Sequence, residues 1–320
     1  MTLLVADIGG TNTRIALFQP TRQILALERF ANADFASFNA VLAQYRDTHA
    51  LPALAGCAVA IAGPVTGGTA KLTNRDWYFD RRAIADVLAL APGAEAHLIN
   101  DLAALGHSLQ LLGPSQLSVI RASNTTPPQN QQAIVVGLGT GFNICVINSD
   151  SDTPVVNEAE LGHASLPASV HNILHAGLGS EAAQFGTNEH LFSGDGLARL
   201  YRVFAGADEK PGPQIIAAYE TGRNDAARQT VDLFARALGE AARELVFQYL
   251  PYGGIHYAGG VARGFFASSA RSVFLTAFSA PGPFDTQFAM VPMRVITDDA
   301  AALVGAGTHA LDQDTTPPRT

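Results

Sequence analysis

Cysteine is scarce in this sequence: only Cys57 and Cys145 occur among 320 residues, and each lies within an apolar run. Two cysteines in a chain of this length do not form a disulfide framework or a zinc site. We therefore expect both side chains to be buried as small apolar groups, and we expect no bound zinc.

Positive charge and long apolar runs are scarce too. The formal net charge is −8 and Lys and Arg form no cluster, whereas nucleic-acid binders present a clustered basic face. No run reaches the roughly 18 apolar residues that a membrane-spanning helix needs. The opening MTLLVADIGG lacks the basic start of a secretory signal, and Asp7 interrupts its apolar stretch. We expect a cytoplasmic protein that binds neither nucleic acid nor membrane.

The remaining pattern is that of an α/β protein. Short apolar runs such as GCAVAIAG (56–63) are typical of strands buried on both faces. Amphipathic spacing predicts helices over 34–49, which would include Phe35 on the apolar face, and over 224–249. A further helix is predicted after 297–299. The polar stretch 122–132 is expected to be a loop, and the tail QDTTPPRT to be frayed.

One device occurs twice: a strand, a turn containing Gly and Thr, and a second strand. It appears in VADIGGTNTR near residue 10 and in VVGLGTGFN near residue 140. Two duplicated lobes would explain the recurrence, with chance repetition of a short string as the alternative. Successive glycines let backbone N–H groups approach an anion, so both turns are candidate phosphate cradles. Neither is a Walker A loop, because no Gly-Lys-Ser/Thr follows.

Polar side chains that suit a sugar follow these elements. Asn100-Asp101 ends a predicted strand, where α/β sheets place reacting groups, although such a pair taken alone is more often a helix cap. Phosphoryl transfer needs a carboxylate to accept the proton of the attacking hydroxyl, and Asp101 suits that role. Glu160, His163 and Glu189 could each bridge vicinal hydroxyls of a polyol, an interpretation that depends on all three acting together.

These motifs occur in a recognisable order and run from about Val5 to Gly307. They are DIGGTN, IAGPVTG followed by LTN and Trp77, NDL, GLGTG, ELGH, NEHLFSGDG, GGIHYAGG and DDAAALVGAG. In this order the chain resembles the bacterial glucokinase family, in its zinc-free group. Four residues depart from the family's pattern. Asn143 stands where a glycine is common, in the GTGFN turn that is expected to bind ATP, and asparagine tolerates a positive φ better than most residues. Leu161 replaces a small residue, and Ala164 and Ser165 follow His163; these three lie next to the expected sugar site.

The resemblance implies an actin-like (ribonuclease H-like) α/β fold of two duplicated lobes with a cleft between them. The small lobe would comprise 1–109 and 298–320, and the large lobe 110–297. It also implies ATP and Mg²⁺ as cofactor and metal, with Asp7 holding Mg²⁺ through water. The residues expected to contact the nucleotide are Asp7, Gly9, Gly10, Thr11, Asn12, Gly139, Thr140, Gly141, Gly259 and Gly260.

By the same resemblance, Asn100, Asp101, Glu160, His163 and Glu189 would bind the sugar, with Asp101 as general base. The expected reaction is the ATP-dependent phosphorylation of the 6-hydroxyl of glucose at the entry to glycolysis. The alternatives are a kinase for another hexose or a hexosamine, and a sugar-responsive regulator without catalysis, which would not require Asp101. The family is often dimeric, so a homodimer is an open expectation.

Overall fold

The computed structural model describes residues 1–72, 75–123, 130–149, 154–206 and 210–315. Within this part the chain divides into two compact units. The first contains residues 1–112 and the segment from residue 298 onward, and the second contains residues 113–297. The strands are β1 Leu3–Ile8, β2 Asn12–Phe18, β3 Ile24–Ala31, β4 Gly56–Ile61, β5 Val65–Thr66, β6 Thr69–Lys71, β7 Tyr78–Asp80, β8 Glu95–Asn100, β9 Leu117–Arg121, β10 Ala133–Leu138, β11 Phe142–Asn148, β12 Val155–Glu158, β13 Gly254–Ala258 and β14 Met293–Ile296.

Helices alternate with these strands along the chain, as the sequence pattern predicts for an α/β protein. The α-helices are α1 Phe38–Thr48, α2 Arg81–Val87, α3 Asp101–Ser108, α4 Ala168–Leu178, α5 Asn188–Leu191, α6 Gly194–Ala205, α7 Gly212–Glu220, α8 Asp225–Tyr249, α9 Gly260–Ala267, α10 Arg271–Phe278, α11 Asp285–Met290 and α12 Ala301–Thr315.

The first unit is organised around a five-stranded mixed sheet of order β3-β2-β1-β4-β8. β1 pairs with β2 in the antiparallel sense and with β4 in the parallel sense, and β4 pairs with β8 in the parallel sense. Every residue of β4 is buried, as its continuous apolar sequence predicts. Helix α12, from the end of the chain, packs against α3, β1 and β4. The carboxyl ends of three parallel strands therefore share one edge of this sheet.

The second unit repeats that arrangement. Its sheet has the order β12-β11-β10-β13-β14-β9. The first five strands match the first unit in order and direction. β10 pairs with β11, and β11 with β12, in the antiparallel sense, whereas β10 pairs with β13, and β13 with β14, in the parallel sense. β9 adds an antiparallel edge strand. The duplication expected from the repeated Gly-Thr turn is thus present as a repeated sheet topology.

The long helix α8 lies in the core of the second unit. Its first turn is capped by Asn224, whose side-chain oxygen accepts from the amide of Ala227 at 2.8 Å, and it ends before Pro251. It packs against α4, α6, α7 and α10. Its apolar stripe, which includes Val231, Phe234 and Leu238, is buried. Burial of such a stripe supplies most of the stability of a helix of this kind.

One helix boundary differs from the sequence expectation. Helix α1 begins at Phe38 because the Ser37 hydroxyl accepts from the amide of Ala40, so Phe35 precedes the helix. The last helix begins at Ala301, after Asp298 has accepted a hydrogen bond from the amide of Ala300 at 2.8 Å. The central part of the loop predicted over 122–132, and most of the C-terminal tail, lie outside the described residues.

Both cysteines are free and buried, as their apolar surroundings predict. Burial raises the pKa of the Cys57 thiol to about 12, so this sulfur stays protonated at neutral pH. In the described part of the chain, no helix is both long enough and apolar enough to cross a membrane.

Candidate active site

The turn that joins β1 to β2, here called the first turn, contains residues 9–12. Its backbone is closed by a hydrogen bond from the Gly9 amide to the Asn12 carbonyl, at 3.0 Å. Gly10 and Thr11 form its tip, and Thr11 is exposed. Successive backbone amides at such a tip, here those of Gly10 and Thr11, are suited to bind phosphate oxygens.

The first turn is held in place by Asn32, a buried residue just after β3. The Asn32 side chain donates to the Gly9 carbonyl and accepts from the Thr13 hydroxyl, both at 2.8 Å. Its backbone amide donates to the Thr11 carbonyl at 2.9 Å. Three hydrogen bonds from one fully buried asparagine fix the conformation of the turn before any ligand binds.

Asp7 lies in β1, just before the first turn, and forms an ion pair with Arg14 of β2. The Arg14 Nη1 atom lies 3.0 Å from Asp7 Oδ2, and Nη2 lies 3.5 Å from Asp299 Oδ1. Burial raises the pKa of Asp7 above its ordinary value of 3.8, while the Arg14 guanidinium holds it down. Since these causes oppose each other, the charge state of Asp7 depends on its positive neighbours.

Asn100 and Asp101 lie at the same sheet edge as the first turn. Ile8, Ile61 and Asn100 are the last residues of β1, β4 and β8, and they are in register across the three strands. The first turn follows β1 directly, and Asp101 follows β8. This edge is where parallel α/β sheets place reacting groups.

Asn100 caps helix α3. This is the structural role that the sequence analysis gave as the alternative to a place in the reacting site. Its side-chain oxygen accepts from the amides of Leu102 and Ala103 at 3.0 and 3.3 Å, and its Nδ2 donates to the Gly63 carbonyl at 3.2 Å. The capping bonds occupy Oδ1, and the Gly63 bond takes one of the two N–H groups of Nδ2. Asp101 begins the helix, and its Oδ1 accepts from the Leu102 amide at 2.9 Å.

The turn between β10 and β11 in the second unit, here called the second turn, contains residues 139–141. It is one residue shorter than the first turn, because Leu138 pairs directly with Phe142. The Gly139 amide donates to the Gly141 carbonyl at 3.0 Å, and Thr140 is exposed. The two turns are therefore similar in position and composition but not identical in length.

Gly259 and Gly260 approach the second turn at the start of helix α9. Gly259 has φ +106°, and a Cβ atom there would lie 2.6 Å from the Leu138 carbonyl oxygen and 3.2 Å from Gly139 Cα. Only glycine suits both the conformation and the space. The amide of Gly194, which begins α6, donates to the Gly139 carbonyl at 2.8 Å. The structure thus brings the predicted glycines of the second unit together around one turn.

Glu189 lies against the second turn as well. Its Oε2 atom accepts from the backbone amide of Phe142 at 3.1 Å. A Cβ atom added to Gly141 would lie 2.5 Å from that same oxygen, so the glycine leaves space for the carboxylate. Glu189 sits in α5, which Thr187 caps by accepting from the His190 amide at 3.3 Å. One carboxylate of the predicted sugar set is therefore fixed next to a predicted phosphate turn.

Glu160 and His163 lie on the segment that follows β12. The Nδ2 atom of Asn143 donates to Glu160 Oε2 at 3.0 Å. The backbone amide of His163 donates to the Glu160 carbonyl at 3.2 Å, within a single 3-10 turn, and the His163 side chain is exposed. Gly162 between them is buried, and a Cβ atom there would overlap the Phe142 carbonyl.

Sequence reasoning missed three residues that position this machinery, namely Asn32, Arg14 and Asn188, and it noted Asn143 only as a departure from the family's pattern. Asn188 donates from Nδ2 to the carbonyls of Leu161 and Ala164, and so fixes the segment that carries Glu160 and His163. A single amide side chain in a polar loop carries no distinguishing pattern. Arg14, two residues after the motif DIGGTN and in the same short strand pair as Asp7, could have been found from that spacing.

Part of the LTN motif has no structural description. Thr73 and Asn74 of this motif lie outside the described residues. Among the residues that the structure describes, no group of three or more His, Cys, Asp or Glu side chains is arranged to hold a metal ion.

Comparison with known proteins identifies the class to which this arrangement belongs. A glucokinase from an Antarctic psychrotroph is 30% identical and superimposes with a TM-score of 0.81, over 97% of this chain and 99% of that one. A glucokinase from Balamuthia mandrillaris, solved in complex with glucose, is 20% identical with a TM-score of 0.74, over 95% and 92%. The predicted α/β, actin-like fold of the sugar kinases is confirmed.

The sequence comparisons define the family. A family model described as Glucokinase matches residues 4–313. The glucokinase of Xanthomonas oryzae pv. oryzae is 31% identical over 331 aligned positions, which cover 99% of this chain and 97% of the relative. The chain belongs to the glucokinase family, as the order of its motifs predicts.

Proposed function

We propose that this chain transfers the γ-phosphoryl group of ATP to the 6-hydroxyl of glucose, giving glucose 6-phosphate and ADP. The observation that carries the proposal is the start of β11. There Phe142 and Asn143 hydrogen-bond to Glu189 and Glu160, directly after the second turn. Groups that suit sugar hydroxyls and amides that suit phosphates are thus held by one rigid strand pair, within a chain that matches the glucokinase family over almost its whole length.

Asp101 is the proposed general base. As the 6-hydroxyl oxygen forms its bond to the γ-phosphorus, its proton passes to the Asp101 carboxylate, and the bond from the γ-phosphorus to the bridging oxygen breaks to release ADP. The carboxyl group is fixed because Asp101 begins α3 and its Oδ1 accepts from the Leu102 amide. Its position at the sheet edge, next to the first turn, supports this role.

The two turns and Asp7 are proposed to bind the nucleotide. Gly10 and Thr11 offer backbone amides and a hydroxyl, while Gly9 and Asn12 close that turn through their own hydrogen bond. Asp7 is a hard carboxylate of the kind that Mg²⁺ prefers. When bound, Mg²⁺ neutralises phosphate charge. In the second unit the corresponding groups are Gly139, Thr140 and Gly141, with Gly259 and Gly260 beside the adenosine.

The sugar is proposed to be held by Glu160, His163 and Glu189 at its anomeric end and by Asn100 and Asp101 near the reacting hydroxyl. Carboxylates and imidazole suit vicinal hydroxyls because a carboxylate can accept from two of them, and a neutral imidazole can accept from one and donate to the other. Asn100 can contribute only the Nδ2 N–H that Gly63 leaves free, because Oδ1 already caps α3.

One observation favours a second candidate, a hexosamine kinase. A surface cavity of about 320 Å³ begins two residues after His163 and is lined by Ser165, Leu166, His171 and Phe185, among others. Ser165, which lines the cavity, and its neighbour Ala164 are both small and exposed. A substituent on carbon 2 of the sugar could use such space.

A sugar panel distinguishes the two candidates. Catalytic efficiency is measured with Mg²⁺ and one ATP concentration for glucose, mannose, 2-deoxyglucose, fructose and N-acetylglucosamine. When charged groups of a site bind a hydroxyl that the substrate lacks, the transition state loses roughly 1.5–3 kcal/mol of stabilisation. This lowers catalytic efficiency about ten- to a hundredfold. Glucose should exceed 2-deoxyglucose by that factor and N-acetylglucosamine by more. If N-acetylglucosamine equals or exceeds glucose, the hexosamine assignment replaces the glucose assignment.

We further propose a cytoplasmic enzyme that forms a homodimer, in keeping with the family. Light scattering coupled to size-exclusion chromatography measures the particle mass directly. A mass near twice the 33.5 kDa of one chain is expected, and a mass of one chain would contradict the dimer.

A further inference from the structure

The start of β11 holds both carboxylates that we assign to the sugar, and it does so in two different ways. Glu189 accepts from the backbone amide of Phe142 at 3.1 Å, a bond that any residue at that position except proline could supply. Glu160 accepts from the side chain of Asn143 at 3.0 Å, a bond that depends on the identity of one residue.

The Asn143 amide group is fixed at both of its ends. Its Oδ1 atom accepts from the backbone amides of Ile144 and Leu161, both at 2.9 Å. Two donors at one end require that end to be the oxygen, so the other end must be the NH₂ group that faces Glu160. The side chain therefore ties the segment bearing Glu160 to β11 and aims a donor at its carboxylate.

The position of Asn143 separates it from nucleotide binding. It lies in β11 opposite Gly137, with no positive φ, and it follows the second turn rather than forming part of it. A glycine there would keep the strand pairing but would remove all three side-chain hydrogen bonds. The side chain at this position consequently affects Glu160 and its segment much more than the amides of the turn.

We propose that Asn143 is a positioning residue for the sugar: it orients Glu160 and so sets the affinity for the sugar hydroxyls without contributing to ATP binding. The proposal rests on the assignment of Glu160 to the sugar site. One carboxylate oxygen of Glu160 is occupied by Asn143, which leaves the other to accept from hydroxyls. Loss of a hydrogen bond to a charged group typically costs about tenfold or more in affinity.

The test compares Asn143→Gly and Asn143→Asp with the wild type. Asn143→Gly should raise the KM for glucose about tenfold and leave the KM for ATP within about twofold. In Asn143→Asp the introduced carboxyl still accepts from Ile144 and Leu161 but repels Glu160. Two carboxyl groups this close share a proton as the pH falls, and the shared proton restores the hydrogen bond.

The Asn143→Asp defect should therefore depend on pH, which a merely structural role would not produce. The ratio of its glucose KM to that of the wild type should be large at pH 8 and fall severalfold by pH 6. Taking the ratio removes every pH effect that the variant shares with the wild type, including any that arises from the neighbouring His163 and Glu189 side chains. Asn157→Asp is the matched control, because Asn157 is exposed on β12 opposite Val146 and adds the same charge away from Glu160. It should change neither KM.

The outcomes separate this proposal from the proposed function. A raised KM for ATP with an unchanged KM for glucose, or a defect of Asn143→Asp that is equal at all pH values, would overturn the role of Asn143. Calorimetric titration with glucose measures the same dependence without turnover. A wild-type chain that binds glucose but phosphorylates no sugar would refute the proposed function and leave the effect of Asn143 on binding measurable. A chain that binds no glucose would refute both.

Discussion

Replacement of Gly259 by alanine should damage the second unit through its backbone. A Cβ atom at this position would lie 2.6 Å from the Leu138 carbonyl oxygen and 2.9 Å from the Leu138 carbonyl carbon, and these are main-chain atoms that no rotamer change can move. Ordinary contact needs about 3.2 Å or more, so α9 and the second turn must separate by roughly 0.6 Å.

Two costs add at this position. An alanine held at φ +106° costs about 1–3 kcal/mol, and overpacking against fixed neighbours costs about 1–3 kcal/mol more. The free energy of unfolding of the second unit should fall by about 2–6 kcal/mol. This corresponds to roughly 4–24 °C in Tm, at about 2–4 °C per kcal/mol for a unit of this size. Since the shift moves the second turn, the KM for ATP should rise as well.

Scanning calorimetry is the suitable assay, because the one tryptophan, Trp77, lies in the first unit and its fluorescence would not follow the second. Gly260→Ala is the matched control: it is the next residue, and a Cβ atom there meets nothing within 4 Å. Its Tm should stay within about 2 °C of the wild type. Equal melting temperatures for the two variants would refute the reasoning from close approach.

Two further predictions concern catalysis and acid stability. Asp101→Asn should lower kcat by about 10² to 10⁴-fold while glucose binding persists in calorimetric titration, and a folded variant with near-native turnover would remove Asp101 from the mechanism. Burial lowers the pKa of His107 and of His309, whose rings meet at 3.2 Å between α3 and α12, to about 4. The unfolded chain then binds more protons than the native chain between about pH 6.5 and 4, so Tm should decrease as the pH falls through that window. His309→Gln should make this decrease smaller, and an unchanged pH dependence would contradict the assignment.

The central strands, the helices α1, α8 and α12 and the two turns could be predicted from the sequence because each has a local cause. The continuous apolar run of β4 indicates a strand buried on both faces, and the amphipathic stripe of α8 indicates a helix buried on one face. The glycines of the two turns indicate positions where another backbone segment or a ligand comes close to the main chain. Asp101 could be placed because it follows a buried strand directly, and its position at the sheet edge follows from the parallel pairing of β4 with β8.

The residues that hold the site could not be predicted in the same way. Asn32 hydrogen-bonds to Gly9 of the first turn, although the two residues are 23 positions apart in the sequence. Asn143 and Glu160, which also hydrogen-bond, are 17 positions apart. Such contacts depend on strand register and loop path, which no local pattern encodes. For Asn100 the capping role could be predicted from the sequence, but its consequence could not. Only the structure shows that capping occupies Oδ1 and so restricts what the side chain can offer a sugar.

The central claim is that the phosphoryl group of ATP passes to the 6-hydroxyl of glucose. The most direct measurement is phosphorus NMR of the products formed from ATP, Mg²⁺ and glucose labelled with ¹³C at carbon 6, with the Asp101→Asn variant as control. The expected product is a sugar phosphate whose phosphorus couples to the labelled carbon, together with one equivalent of ADP, and the variant should form it about 10² to 10⁴-fold more slowly. A phosphate on carbon 1, or ADP released without any sugar phosphate, would contradict it.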